Sequence, residues 1–149
     1  MLGLQITQID HVSVLITDVE RSRRFYCDLL GLKEIAKPRT FGFVALWFQL
    51  GDTQLHLLQK SQADTRSPRH FALRVQDVQQ ARTYIRERGI PLEETTLIPA
   101  CDRFFIHDPD GNRIEIIQWL EPYDPAASGA ADLDRGVTRS NPTPPGAAG

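Results

Sequence analysis

Four residues of this 149-residue chain could do chemistry together: His11, His56, His70 and Glu115. They fall in two pairs with the same internal spacing. His56 follows His11 by 45 positions, and Glu115 follows His70 by 45. Three imidazoles and one carboxylate make a nitrogen-rich set that suits one divalent transition metal, with zinc, nickel or cobalt favoured over iron or manganese. A lone histidine on a strand is ordinarily a satisfied structural residue. Four candidates at matching points of two pairs reverse that reading.

The elements that must position them repeat as well. An offset of 59 lays the first pair on the second, and it also lays Asp18 on Asp77, Val19 on Val78, Arg23 on Arg82 and Gln59 on Gln118. Leu55-His56-Leu57-Leu58-Gln59 falls on Ile114-Glu115-Ile116-Ile117-Gln118, so the chain contains an internal repeat. In the first half, a strand over 9–16 leads to an Asp18-capped helix that runs to Leu30 and stops at Gly31. A short strand over 32–36, a β-rich stretch over 41–50, the turn Gly51-Asp52 and a strand over 53–59 follow. In the second half, a strand over 69–75 precedes an Asp77-capped helix ending at Gly89. Residues 91–102 read as irregular, with one short strand and with Cys101 in a loop. Strands over 103–107 and 113–119 then pair across Asp108-Pro109-Asp110-Gly111-Asn112. Each half is therefore βαβββ, an α+β arrangement with repeats at about 7–60 and 68–120. One domain over 1–120 is expected. Beyond it Ala, Gly and Pro supply 15 of the last 29 residues, so 121–149 reads as a disordered tail.

Strand alternation then sorts the faces. Val12, Val14 and Ile16, Leu55 and Leu57, Phe71, Leu73 and Val75, and Ile114 and Ile116 form apolar faces for the helices to cover. All four candidate ligands project the other way. On that same face Arg103, Phe105 and His107 alternate together, and Arg74 shares the face of His70. Either arginine could hold an anionic group of a substrate or serve as a salt-bridge partner. His107 could support the site or bond within its hairpin. The offset maps Phe105 to Leu46 and His107 to Phe48, which predicts an apolar wall of Val44, Leu46 and Phe48. Trp47 on the site face would mean a shift of one residue.

The bulk composition narrows the functional classes. Hydrophobic residues make up 41% of the chain, enough for one domain with a real core. Net charge is −2, which gives no electrostatic reason to bind nucleic acid. No stretch approaches the roughly 20 apolar residues of a membrane span. The opening residues lack a secretion signal, and Cys27 and Cys101 read as packed free thiols, so a cytoplasmic location is expected.

The segments Ile9-Asp10-His11-Val12-Ser13-Val14, then Asp18, and Phe25-Tyr26 ahead of Leu30-Gly31 resemble the opening of vicinal oxygen chelate proteins. Phe104-Phe105-Ile106-His107-Asp108-Pro109-Asp110-Gly111-Asn112-Arg113-Ile114-Glu115 resembles their closing motif. The resemblance covers about residues 7 to 120 and is nearest the glyoxalase-like branch. It implies a curved, mostly antiparallel eight-stranded cup with helices on its convex side. It also implies one metal held at the positions of His11, His56, His70 and Glu115. Implied too are a homodimer and a metal-dependent lyase or isomerase acting on a small α-oxo compound or its thiol adduct, with Glu115 as ligand and base. Three positions depart from glyoxalase I: His56 stands for a glutamate common in bacterial enzymes, Leu15 for an arginine and Lys60 for an asparagine. The last two help hold glutathione in those enzymes. An extradiol-type dioxygenase, a fosfomycin-type metallothiol transferase and a metal-free drug-binding module on the same scaffold are the alternatives.

Overall fold

The computed structural model describes residues 3–126. Two helices and eight strands build two copies of one unit. The first holds β1 (His11–Ile16), α1 (Val19–Arg23), β2 (Lys33–Ile35), β3 (Ala45–Leu50) and β4 (Thr53–Gln59). The second holds β5 (His70–Arg74), α2 (Val78–Glu87), β6 (Glu93–Glu94), β7 (Cys101–His107) and β8 (Arg113–Trp119). Each unit forms its own four-stranded sheet, in the orders β1-β4-β3-β2 and β5-β8-β7-β6. The first and last strands of each unit run parallel, and the other pairings are antiparallel. These are the two βαβββ repeats expected from the 59-residue offset. Their eight strands divide between two mixed sheets.

The residues that the offset superimposed do matching jobs. Asp18 and Asp77 cap their helices by accepting from the backbone N–H three residues on, each at 2.9 Å. Arg23 pairs with Glu34 on β2, and Arg82 pairs with Glu94 on β6, so each helix is tied to the outermost strand of its own sheet. Gln118 accepts from the Val78 N–H at the start of α2, and Gln59 donates to the Thr17 carbonyl just ahead of α1. The repeat is thus a repeat of connections as well as of residue types.

α1 departs from expectation. It continues as a π-helical turn over Arg24–Leu29, where a regular α-helix to Leu30 was predicted. The wider turn lets two consecutive aromatic residues, Phe25 and Tyr26, both reach the interior. Cys101 is the buried first residue of β7 and not part of a loop. The tail expected at 121–149 lies mostly outside the described residues.

One continuous core joins the repeats, with Ile16, Tyr26, Phe48, Leu55 and Leu57 from the first and Phe71, Phe104, Ile106, Ile114 and Ile116 from the second. A polar contact crosses it. The Tyr26 hydroxyl donates to Asp108 Oδ2 at 2.7 Å, and Asp108 also accepts from the backbone N–H groups of Asp110 and Asn112. Burial first, then the Asp108 carboxylate, pushes the phenol well above its usual value, so it stays a donor. The same β7–β8 turn reaches the first repeat through Asn112, which donates to the Leu15 carbonyl at 2.7 Å. Tyr26→Phe should therefore cost about 1.5–3 kcal/mol, the usual worth of a hydrogen bond to a charged group. Urea unfolding checks this, and an unchanged midpoint would show that the contact between repeats is energetically idle.

Candidate metal centre

His56 and Glu115 sit between residues committed to the core, so packing fixes their direction, while His11 and His70 open their strands ahead of the core-facing Val12 and Phe71. His56 lies between Leu55 and Leu57 on β4, and Glu115 lies between Ile114 and Ile116 on β8. All four neighbours are buried in the cluster beneath the helices, which turns His56 and Glu115 to the opposite face.

The first pair is His11 and His56. Their rings stack with centroids 4.3 Å apart and planes 23° apart. In the ladder between β3 and β4, Trp47 stands opposite His56, and its indole lies on that imidazole at 3.9 Å and 7°. Phe41 and Phe43 extend the aromatic surface away from Trp47. A polar partner holds one nitrogen of each imidazole. The Asp10 carboxylate lies 2.8 Å from His11 Nδ1, and Gln54 Oε1 lies 2.9 Å from His56 Nε2. That leaves His11 Nε2 and His56 Nδ1 for another partner. Burial first, and then the neighbouring His11 charge, hold the His56 imidazolium below its ordinary value.

The second pair is His70 and Glu115. His70 Nδ1 donates to the Pro68 carbonyl at 2.9 Å, while Nε2 lies 3.0 Å from Glu115 Oε2. A carbonyl only accepts, so Nδ1 carries a proton. The 3.0 Å contact between Nε2 and Oε2 then needs one proton, carried by either atom, or a cation in that proton's place. The other carboxylate oxygen, Oε1, accepts from Arg103 Nη1 at 3.1 Å. Phe105 stands opposite Glu115 in the β7–β8 ladder and meets the His70 ring edge-on at 5.0 Å. Arg113 lies over the Phe105 ring at 3.6 Å. His107 Nδ1 is 3.8 Å from Glu93, and Arg74 is exposed on edge strand β5.

The four predicted ligands come together as two pairs. Among the described residues no three His, Cys, Asp or Glu side chains converge on one point. Within each pair the chemistry fits a divalent transition ion. The set is three imidazoles and a carboxylate, and each imidazole has one nitrogen already held by an oxygen, as metal-ligating histidines generally do.

Leu46 and Phe48 do not line this face. Both are buried in the core, at 3% and 0% exposure, opposite Leu57 and Leu55. The β3–β4 turn holds two residues between Leu50 and Thr53, whereas the β7–β8 loop holds five between His107 and Arg113. The two loops differ by three, an odd number, so an offset of 59 valid for β4 and β8 fails for β3 and β7. There the offset is 58 (105 − 47), and Trp47 is the counterpart of Phe105. The lengths of the two turns were the signal for it. Sequence reasoning also missed Arg113 as the cation over Phe105, although its place on the face of Glu115 was readable. The oxygens of Asp10, Gln54 and Pro68 were missed because only folded geometry reveals them.

A family model for the glyoxalase/bleomycin resistance protein/dioxygenase superfamily matches residues 8–116, and the chain belongs to that superfamily. Among curated relatives, an Arabidopsis thaliana protein named glyoxylase I 4 is 29% identical over 124 residues, covering 76% of this chain and 71% of its own length. A Synechocystis protein named probable lactoylglutathione lyase is 28% identical over 125 residues, covering 72% and 92%. Among solved structures, a glyoxalase family protein from Bacillus anthracis matches with a TM-score of 0.73 at 28% identity, over 78% of this chain and 98% of that one.

His56 carries a prediction of its own. In a proton NMR titration of the metal-free protein it should titrate below the ordinary histidine value of about 6.5. The folded state then binds this proton less readily than the unfolded chain. The His56 contribution to stability is therefore complete above about pH 6.5 and is lost as pH falls through the folded-state value. A His56 that titrates at or above 6.5 would contradict the packing described.

Proposed function

We propose that this chain is a divalent-metal-dependent lyase or isomerase of the glyoxalase I kind, acting on a small α-oxo compound or its thiol adduct. The observation that carries this reading is the pre-set donor pairs: three imidazoles, each with one nitrogen bonded to an oxygen, and a buried carboxylate. The relatives named glyoxylase I 4 and probable lactoylglutathione lyase support the reaction class.

The two pairs do not meet within one chain, so the working unit is taken to be a homodimer. In it, His11 and His56 of one copy face His70 and Glu115 of the other. Three features favour such pairing. β1 and β5, which carry the first residue of each pair, are edge strands of their sheets. Val12, Val14, Leu73 and Val75 on and just beyond them stay partly exposed beside the core. An open groove of about 1430 Å³ runs between the repeats past Leu29, Leu55, Leu73, Tyr84 and Ile116.

In that unit His11, His56, His70 and Glu115 would hold the ion, which supplies a Lewis acid for a substrate carbonyl. The protein's own residues do the rest. Trp47 and Phe105 give the substrate flat apolar surfaces on either side of the ligands. Arg74 and His107 supply polar contacts at the rim. Glu115 takes a proton from one carbon and returns it to the next. A base in a site that excludes water is worth about 10²–10⁴ in rate. Leu15 and Lys60, where glutathione-using relatives place side chains for that thiol, argue for a smaller adduct.

The test begins with elemental analysis of untagged protein. About one divalent transition metal per chain is expected, because a built site retains its ion through purification. Isomerisation of the hemithioacetal of methylglyoxal and a simple thiol is then followed by absorbance. Glu115→Gln should retain metal and lose at least about 10²-fold in kcat. Protein that takes up no metal, or a fully active Glu115→Gln variant, would overturn the proposal.

A further inference from the structure

We propose that Arg103 is a positioning residue that decides which oxygen of Glu115 is offered to a cation and limits that carboxylate to one-oxygen ligation. This rests on the metal-centre reading above and deepens it. The two oxygens of Glu115 face different partners. Oε2 lies 3.0 Å from His70 Nε2, on the ligand side, while Oε1 accepts from Arg103 Nη1 at 3.1 Å. The carboxylate is buried, with 8% of its side chain exposed, and Arg103 is 15% exposed, so little water competes for either.

The arginine is itself fixed. Its Nη2 donates to the Thr96 carbonyl at 3.0 Å, and its guanidinium carbon lies 5.7 Å from the centre of the Phe105 ring. Each terminal nitrogen thus has a partner within the protein, while Nε has none. Arg113, on the same strand face as Glu115, is occupied elsewhere, over Phe105 and 3.9 Å from Glu93.

The internal repeat supplies an independent argument. Trp47 and Phe105 stand opposite His56 and Glu115 in their respective ladders. Two residues before each stand Ala45 and Arg103. Where the first repeat has a neutral imidazole, its neighbour on the adjacent strand is alanine. Where the second has a carboxylate, that neighbour is arginine. The charge and its partner changed together, as they must if the arginine serves the carboxylate.

The physical consequence concerns how many oxygens Glu115 can give. A carboxylate facing a dication with both oxygens free can chelate it. One whose Oε1 already accepts a charge-assisted hydrogen bond from a guanidinium favours binding through Oε2, since Oε1 has part of its charge engaged and its orientation set. The pinned Oε1 also keeps the group in place while Oε2 exchanges partners, which a ligand that doubles as a base requires.

Cobalt-substituted full-length protein tests this without any turnover, since the visible absorption of Co²⁺ weakens as its coordination number rises. Arg103→Met removes the donors and keeps an unbranched apolar stem. It should lower the Co²⁺ extinction to about half or less as the second oxygen joins the ion. Arg103→Lys, which can still donate to Oε1, should match the wild-type spectrum. Arg103→Leu replaces the methionine variant if circular dichroism shows that the latter fails to fold. Wild-type protein that binds Co²⁺ together with an unchanged spectrum in the uncharged variant would overturn this proposal and leave the metal centre standing. Wild-type protein that takes up no Co²⁺ would overturn both.

Discussion

The two-residue alternation of β4 and β8 is the constraint on which the rest of the structure depends. Leu55, Leu57, Ile114 and Ile116 must face the helices, because burying a side chain of that size stabilises the fold by about 1.5–3 kcal/mol. A slip of one residue would expose all four together and bury His56 and Glu115 under the helices without partners. The apolar residues thus fix the register, and the register aims the chemical ones. The direction of His56 and Glu115 follows from core packing and needs no ion to impose it.

The same logic explains why each repeat ends with a pair rather than a full site. A sheet of four short strands brings the first strand beside the fourth, and this sets His11 against His56 and His70 against Glu115. Among the described residues no third His, Cys, Asp or Glu joins either pair. The polar contacts between repeats run from Asp108, Asp110 and Asn112 of the β7–β8 turn to Tyr26, Thr17 and the Leu15 carbonyl, and from Tyr84 to the Leu29 carbonyl. Holding the two repeats of a chain together and joining the two pairs are therefore separate tasks. The first is done by a buried carboxylate and a core, and the second is proposed to fall to another copy. The oxygens of Asp10, Gln54 and Pro68 and the guanidinium of Arg103 already hold the ligands from behind, so assembly would bring together parts that need little rearrangement.

Much of this was legible in the residues. The 59-residue offset predicted two βαβββ units, and Asp18 and Asp77, Arg23 and Arg82, and Gln59 and Gln118 do equivalent work in the fold. The apolar faces of β1, β4, β5 and β8 were legible because a polar residue, Ser13, His56, Arg74 or Glu115, marks the opposite face of each strand. The wall of Leu46 and Phe48 was misread because every residue of Val44-Ala45-Leu46-Trp47-Phe48 is apolar. Alternation says nothing in such a run, and only the odd difference between the two turns settles the face. The π-helical turn after α1 was hidden because Phe25 and Leu29 fit an α-helical spacing just as well. The role of Arg103 was hidden too, since a face shared with Phe105 does not say which acid the guanidinium will meet. The family resemblance drawn from the opening and closing motifs agrees with the superfamily match over residues 8–116.

The central claim is that two incomplete pairs become one centre when two copies meet, and subunit mixing tests it directly. One variant carries His11→Ala and His56→Ala, the other His70→Ala and Glu115→Ala, and neither alone should bind metal. After the two are unfolded and refolded together, half of the dimers are mixed and each mixed dimer holds one intact centre. Metal content should then recover to about a quarter of the wild-type level. A mixture that stays as empty as its two components would contradict it.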